Sequence, residues 1–253
     1  MKIIHLCGLS VLLSGMLPAI GADVPKTMRL ASLEWMPFAG SKLPNDGISG
    51  AVAAEVAKQI GSSVQVDYMI WKDAVATGES NPAFAGYFPV FYTAEREQKK
   101  CHLSASIGSS TTGIGYLKET PVQWSSPADL KSLKIGVVEG YANDPVFDDA
   151  IKQGAQQVDV SNSDTNNIKK LVTKKVPAIV IDKLVLRYMT MKSPMRDSVM
   201  FHEHVFSRQT LHVCFQRTPA GKAMQEAFDA GLKKIDLPKF ETAYFKRLEA
   251  SAQ

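Results

Sequence analysis

The amino-acid sequence predicts an α/β protein with mostly parallel sheets. Strand patterns and amphipathic helix patterns alternate along the chain, which is the order of elements in α/β domains. The continuous apolar run at 178–181 is typical of a strand buried on both faces of a parallel sheet. A length of 253 residues corresponds to one large domain or two modest domains. Such a chain buries enough surface to fold without a disulfide scaffold or a metal.

The first half of the chain contains three strand patterns separated by helix patterns. Apolar residues recur every four positions over 50–60, which predicts a helix, and Gly61 ends it. Alternating apolar residues over 64–70 predict a strand that ends near Trp71. In order, the predicted elements are a strand at 29–35, the helix at 50–60, the strand at 64–70, a short helix, and a strand at 87–91.

The middle of the chain has the pattern of a second α/β unit. Asp164 is predicted to cap a helix that runs to Lys175, and Pro177 prevents its continuation. Ser109 to Thr112 are expected in a hinge or loop. The predicted elements are a capped short helix at 125–130, a strand at 133–138, a helix near 144–145, strands at 158–160 and 178–181, and a helix at 184–191, followed by a strand at 211–215 and an amphipathic helix at 224–235.

Composition and charge exclude several classes of protein. The ordinary composition excludes a disordered, collagen-like or coiled-coil chain. Twenty-nine Lys and Arg against 25 Asp and Glu give a net charge of +4 that is spread along the chain. Such a weak and dispersed charge predicts no nucleic-acid partner.

The N-terminus has the three-part pattern of a secretory signal peptide. Lys2 supplies positive charge, an apolar run covers 6–20, and small residues precede a polar stretch. We predict a signal peptide at 1–22, with cleavage after Ala22 and Gly21 as the alternative. The run is shorter than the ~20 residues that span a bilayer, and Cys7 is too early for a lipoprotein. No later stretch could span a membrane, so we expect a soluble periplasmic protein.

Two cysteines, Cys101 and Cys214, remain after cleavage. An oxidising compartment permits a disulfide between them. The alternative is two separate cysteines buried as small hydrophobic side chains.

Five motifs occur in one order along the mature chain. They are L-E-W-M-P-F at 33–38, G-I-S-G at 47–50 before a helix, T-A-E-R at 93–96, S-P-A-D-L-K at 126–131 with I-G-V-V-E-G at 135–140, and I-V-I-D at 179–182. On these motifs the chain resembles the periplasmic solute-binding proteins of the polar amino-acid ABC uptake class, known as bacterial extracellular solute-binding protein family 3. The resemblance covers nearly the whole mature chain.

The resemblance implies a two-lobed type II periplasmic-binding-protein fold, with two mixed, mostly parallel sheets and a hinge of two crossing strands. Lobe 1 would contain residues 23–106 and 208–253, and lobe 2 residues 107–207. A small-molecule ligand would bind in the cleft between the lobes, where open α/β sheets bind ligands at the carboxyl ends of strands. Closure of the lobes would bury the ligand.

The resemblance also implies two charged ligand-binding residues. Arg96 would clamp the α-carboxylate of the ligand, because a guanidinium binds a carboxylate through two parallel hydrogen bonds. The alternative is a surface arginine near Glu95 and Glu97. Asp182, at the end of a buried strand, would hold the ammonium group of the ligand. Its alternative role is the N-cap of the next helix.

Further ligand-binding residues are predicted around these two. Trp35 and Trp71 would sandwich the ligand or pack in the core of the lobe, and Tyr141 or Asn143 would contact the ligand from lobe 2. The sequence departs from the family pattern at Pro89, Phe91 and Ala142, where amino-acid binders often have glycine, a hydroxyl residue, and glycine or threonine. The predicted cleft is therefore more aromatic, with Phe91 among its walls, and less polar than that of an ordinary amino-acid binder.

No metal site or cofactor is predicted. His202-Glu203-His204 places two imidazoles on alternate strand positions, but no third ligand is spaced to complete a zinc site. Neither a phosphate-binding loop nor a G-x-S-x-G nucleophile motif occurs.

The leading function is capture of a small carboxylate-bearing solute, an amino acid or related compound, for an inner-membrane ABC permease by a monomeric, non-catalytic protein. A sensor or accessory protein of the same fold that docks a receptor or an enzyme is one alternative. A cyclohexadienyl-dehydratase-like enzyme is the other, and it would need a general acid. Glu34 and Glu139 are the only nearby acids for that role.

Overall fold

The computed structural model describes residues 25–191 and 193–250, and of residue 249 only the backbone. The predicted signal peptide and its cleavage site lie outside the described residues. Nine strands and seven α-helices form in the described part. The strands are β1 (Thr27–Ser32), β2 (Ser63–Tyr68), β3 (Gly86–Phe91), β4 (Cys101–Leu103), β5 (Gly108–Leu117), β6 (Ile135–Val138), β7 (Val158–Ser161), β8 (Ala178–Asp182) and β9 (Val199–Gln216). The helices are α1 (Gly47–Gln59), α2 (Trp71–Ser80), α3 (Pro145–Lys152), α4 (Asp164–Val172), α5 (Lys183–Thr190), α6 (Pro219–Leu232) and α7 (Leu237–Ala250).

The strands hydrogen-bond in the order β2-β1-β3-β9-β5-β8-β6-β7, and β4 pairs with β9. In the first lobe β1 is parallel to β2 and β3, and in the second lobe β6 is parallel to β7 and β8. The central strands β5 and β9 are antiparallel to each other and to their other neighbours. The α/β class with two lobes is confirmed, and the two expected sheets are joined through β9 because this strand continues for 18 residues.

Two apolar clusters stabilise the lobes. One lies in the second lobe, where Ile114, Leu130, Ile135 and Phe147 are fully buried. The other fills the first lobe around Leu30, Phe88 and Phe228 and continues between the lobes to Ile179 and Val185 of the second. Because this cluster is continuous, the two lobes are packed against each other rather than separated by an open cleft.

A disulfide joins Cys101 of β4 to Cys214 of β9, with the two Cα atoms 5.5 Å apart. Both cysteines are buried. The bond therefore holds the short strand β4 against the end of the long strand that connects both lobes. Of the two alternatives that the sequence leaves open for these cysteines, the structure has the disulfide.

Three local predictions were wrong. Trp71 does not end a strand but begins α2. Asp164 is the first residue of α4 rather than its cap, because the preceding Ser163 accepts the hydrogen bond from the Asn166 backbone N–H. For Ser109 to Thr112 the loop alternative is wrong, since these residues belong to β5 and pair with β9, and the hinge alternative stays a prediction.

Candidate functional site

A small cavity lies where the carboxyl ends of β1, β2 and β3 meet the carboxyl end of β6. Its volume is about 30 Å³, which is room for about two water molecules. Both lobes contribute to the wall of the cavity. The cavity lies at the carboxyl ends of the strands, where open α/β sheets bind ligands. The lining residues are Leu33, Trp35, Trp71, Pro89, Val90, Phe91, Arg96, Tyr141 and Ala142.

Aromatic rings form most of the wall. The Trp35 ring lies 4.5 Å from that of Phe38, 5.7 Å from that of Phe91 and 6.3 Å from that of Tyr141, measured between ring centroids. Trp71 lies 6.4 Å from Tyr141 with the planes at 87°. Except for the tilted Trp35–Phe38 pair, these are the edge-to-face arrangements that aromatic pairs prefer. Tyr141 of the second lobe therefore contacts both tryptophans of the first.

Two polar contacts join the lobes beside the aromatic rings. The indole N–H of Trp71 donates to the carbonyl oxygen of Gly140 at 3.1 Å, and the Lys72 ammonium lies 3.2 Å from the Glu139 carboxylate. Gly140 has a φ of +77°, and a Cβ atom there would lie 3.3 Å from Trp71 Cδ1. A glycine therefore suits both the backbone conformation and the close approach of the indole.

Among the described residues, Arg96 is the only charged one that lines the cavity. Its backbone N–H donates to Thr93 Oγ1, and its guanidinium Nη1 donates to the Phe91 carbonyl oxygen at 3.0 Å. The T-A-E-R motif thus fixes the turn that directs the guanidinium toward the cavity. The Arg96 guanidinium also interacts with the Tyr87 hydroxyl. No carboxylate of the described residues forms an ion pair with Arg96, so its positive charge is available to an anion.

Asp182 lies away from the cavity wall, and hydrogen bonds engage both of its oxygens. Oδ1 accepts from the backbone N–H groups of Leu184 and Val185, at 2.7 and 2.9 Å. Oδ2 accepts from the Ser110 hydroxyl at 2.5 Å and the Thr111 N–H at 2.8 Å. Burial raises the pKa of this carboxyl, and the four hydrogen bonds oppose the rise. Asp182 therefore caps α5 and ties it to β5, and its predicted contact with a ligand stays a prediction.

Asn143 also lies outside the cavity wall. Its side-chain amide donates to Asp148 Oδ1 at 2.9 Å, and its backbone carbonyl oxygen accepts from Gln209 Nε2 at 2.7 Å. These contacts connect the loop after β6 to α3 and β9. Five predicted residues, by contrast, do line the cavity together, namely Arg96, Trp35, Trp71, Phe91 and Tyr141.

A buried acid behind the cavity was missed from the sequence. The Tyr141 hydroxyl donates to Asp164 Oδ2 at 3.1 Å. Burial raises the pKa of Asp164 to about 7, although this hydrogen bond lowers it and the nearby Asp182 raises it further. Burial together with the Asp164 charge also raises the pKa of Tyr141. The sequence did contain a signal for this role of Asp164. Ser163 can cap the helix by itself, so the acid beside it is not needed as the cap.

The two acids considered for general acid chemistry lie outside the cavity wall. Glu34 accepts from the Ser41 hydroxyl at 2.5 Å, and Glu139 pairs with Lys72. The His202 ring accepts from the His204 N–H at 3.0 Å. In the described part of the chain no three His, Cys, Asp or Glu side chains are grouped to hold a metal ion.

A larger groove of about 460 Å³ lies elsewhere, between the start of β1 and the start of α6. Its one cation, Arg29, donates to the Asp67 carboxylate at 2.7 Å and lies 4.4 Å from the Phe84 ring centroid. Because the charge of Arg29 is already paired, this groove lacks the free cation that distinguishes the smaller cavity.

No protein-family model and no curated protein matches the chain. Solved structures, however, do match it. The ligand-binding core of GluR0 from Nostoc punctiforme, in complex with L-glutamate, matches with a TM-score of 0.71 and 18% identity over 87% of this chain and 98% of its own. The amino acid ABC transporter substrate-binding protein AbpA from Streptococcus pneumoniae, bound to L-arginine, matches with a TM-score of 0.70 and 18% identity over 87% and 95%.

A histidine kinase sensor domain with similarity to periplasmic binding proteins has a TM-score of 0.75 and 11% identity, over 87% of this chain and 95% of its own. Identities this low establish the fold and nothing finer. The chain therefore has the two-lobed fold of periplasmic binding proteins. Within residues 25–191 and 193–250, no helix has both the length and the apolar character needed to cross a membrane.

Proposed function

We propose that this protein captures a small carboxylate-bearing solute in the cleft between its lobes, outside the cytoplasm, and delivers it to an ABC-type permease of the inner membrane. The observation that carries the proposal is Arg96, an unpaired guanidinium that faces an aromatic cavity at the carboxyl ends of strands. A carboxylate is the anion whose geometry fits the two parallel N–H groups of an arginine.

The aromatic rings would hold the rest of the solute. Trp35, Trp71 and Phe91 supply apolar faces from the first lobe, and Tyr141 supplies one from the second. A cavity of about 30 Å³ is too small for a solute larger than a few water molecules. Entry therefore requires the lobes to separate, which breaks the Trp71–Gly140 hydrogen bond and the Lys72–Glu139 ion pair.

We assign residues 23–106 and 208–253 to lobe 1 and residues 107–207 to lobe 2. The contacts between β5 and β9 support this assignment, because the two strands pair from Gly108 with Leu211 to Leu117 with Val199. Bending of these two strands near residues 107 and 208 would rotate one lobe relative to the other. Hinge motion of this kind closes two-lobed proteins around their ligands.

An extracytoplasmic location is supported by the disulfide between Cys101 and Cys214. Disulfides form and persist in oxidising compartments such as the bacterial periplasm. The pattern at residues 1–22 agrees with export. We expect a monomer that binds its permease only when the two lobes are closed.

A sensor or accessory role for the same cleft is the second candidate. It is favoured by the likeness to a histidine kinase sensor domain at a TM-score of 0.75. Ligand capture at Arg96 is common to both roles. They differ in the partner protein that recognises the closed form. Co-purification from membranes with a permease supports uptake, and co-purification with a receptor or an enzyme supports the second role.

Substitution of Arg96 tests the capture proposal. The native ligand is first released from protein purified from its own compartment and identified by mass spectrometry. Arg96→Ala should then weaken binding roughly 30-fold to several-thousand-fold, because removal of one partner of a buried charge pair costs about 2–5 kcal/mol. Arg96→Lys should also weaken binding substantially, since an ammonium does not reproduce the planar, two-pronged geometry of the guanidinium.

The matched control is Arg196→Ala, which removes an exposed arginine outside the cavity. Calorimetry should give the control the affinity of the wild type. A folded Arg96→Ala protein with unchanged affinity would rule out the carboxylate clamp.

A further inference from the structure

We propose, on the basis of the carboxylate capture proposed above, that the ligand of this cleft is an organic acid without an α-ammonium group, whose remaining part is uncharged and apolar. The geometry provides one positive group and apolar walls, and none of the described residues that line the cavity is an acid that could pair with a second, positive charge on the ligand.

The cavity wall, as formed by the described part of the chain, has one charged residue and no acid. Arg96 supplies the charge, and the other eight residues are aromatic, aliphatic or proline side chains. Pro89 has no backbone N–H, and Phe91 has no hydroxyl, so neither side chain adds a polar contact. Polar recognition at this wall therefore comes from one guanidinium, which selects an anionic end of the ligand.

The acids near the cavity are engaged by the protein itself. Asp182 receives four hydrogen bonds, two of which cap α5. Asp164 accepts from the Tyr141 hydroxyl, which separates it from the cavity wall. Glu34 is hydrogen-bonded to Ser41, and Glu139 is paired with Lys72. A ligand ammonium would compete at each of these carboxylates with hydrogen bonds or an ion pair that the protein already makes.

Two carbonyl oxygens beside the cavity are also engaged. The Phe91 oxygen accepts from Arg96, and the Gly140 oxygen accepts from the Trp71 indole. An ammonium enclosed between the aromatic rings would thus keep few acceptors for its three N–H groups. Burial of an ionised group without partners is strongly unfavourable. The walls therefore favour the acid that lacks the amino group over the corresponding amino acid.

Matched pairs of ligands test this inference on the full mature protein after its bound ligand has been removed. Each pair contains an L-amino acid and the same acid without the amino group. Suitable pairs are alanine with propionate, leucine with 4-methylpentanoate, phenylalanine with 3-phenylpropionate, and tryptophan with indole-3-propionate. Calorimetry should give the deaminated acid of the best-fitting pair an affinity at least about tenfold higher than its amino acid, because the latter buries an unpaired charge.

Two variants separate the two proposals. Arg96→Gln keeps a polar side chain but removes the charge. It should weaken binding of the deaminated acid roughly 30-fold or more. Asp182→Asn keeps a residue that caps helices well, and it should leave the affinity for that acid within about threefold, with folding checked by its thermal transition.

The outcomes are distinct. Tighter binding of the amino acids, lost in Arg96→Gln and in Asp182→Asn, would overturn this inference and leave the carboxylate capture intact. Binding that is indifferent to Arg96→Gln, or absence of binding by every member of the panel, would overturn both.

Discussion

The buried carboxyl of Asp164 makes the stability of the fold depend on pH. Burial raises its pKa from 3.8 to about 7. Between these values the folded chain holds a proton that the unfolded chain has already released, so the free energy of unfolding falls as the pH rises. Below pH 3.8 the carboxyl is protonated in both states and has no effect. Above pH 7 its full cost is present, about 4 kcal/mol, since each pH unit between the two pKa values corresponds to about 1.36 kcal/mol.

Asp164→Asn isolates this effect. The amide oxygen of Asn can still accept from Tyr141, but the side chain no longer titrates. Urea unfolding of both proteins should show the advantage of Asp164→Asn growing between pH 4 and pH 7, by about 4 kcal/mol at most, and then levelling off. Asp148, Glu241, His102 and His212 also have shifted pKa values, but they are present in both proteins and cancel in the difference. Asp182 interacts with Asp164, so its contribution belongs to the measured difference.

The control is Asp73→Asn, which changes an exposed acid in the first turn of α2. Its stability relative to the wild type should vary far less with pH. If the difference between Asp164→Asn and the wild type were the same at pH 4 and pH 8, the Asp164 carboxyl would not be a buried acid of raised pKa, and the reasoning from its burial would be refuted.

Three further predictions concern the disulfide, the lobe contact and closure. Replacing Cys101 and Cys214 by serine opens a cross-link over 113 residues and should lower the free energy of urea unfolding by about 2–5 kcal/mol; a loss below about 0.5 kcal/mol would contradict it. Gly140→Ala should destabilise the fold more than Gly61→Ala, because both glycines have positive φ, at +77° and +73°, but only Gly140 lies beside Trp71; equal thermal transitions of the two variants would disprove the contact. Small-angle scattering should give a smaller radius of gyration with the identified ligand than after its removal, and an unchanged radius at saturation would argue for a rigid docking protein.

Local patterns predicted those parts of the fold whose hydrogen bonds and burial are local. The recurring apolar residues of α1 and the apolar run of β8 are fixed by the period of a helix and by burial within a sheet. Asp144 caps α3 through hydrogen bonds from Val146 and Phe147, at the place where the sequence predicts a helix start. Such signals need no knowledge of distant segments.

Long-range pairing explains what the sequence did not predict. The Gly-, Ser- and Thr-rich start of β5 lacks alternating apolar residues and becomes a strand because it pairs with β8 and β9, far along the chain. Only residues 211–215 of β9 were predicted, because the apolar residues of its first half are interrupted by His202-Glu203-His204 and most of that half is exposed or half-buried. α7 was missed as well, and most of its residues are exposed or half-buried.

The candidate site likewise contains residues that the sequence could predict and contacts that it could not. Motif positions brought Arg96, Trp35, Trp71, Phe91 and Tyr141 to one cavity, because strand ends meet at the same edge of a sheet. The hydrogen bonds from Ser110 to Asp182, from Gln209 to Asn143 and from Tyr141 to Asp164 join residues far apart in sequence. Their partners could not be assigned before the lobes were assembled.

The central claim is that Arg96 holds a carboxylate of the ligand inside the aromatic cleft. A crystal structure of the protein with the ligand recovered from its native compartment tests this claim most directly. We expect a ligand carboxylate about 2.7–2.9 Å from the Arg96 guanidinium nitrogens, with the remainder of the ligand between Trp35, Trp71 and Tyr141. A ligand bound elsewhere, or one whose carboxylate has no contact with Arg96, would contradict the account.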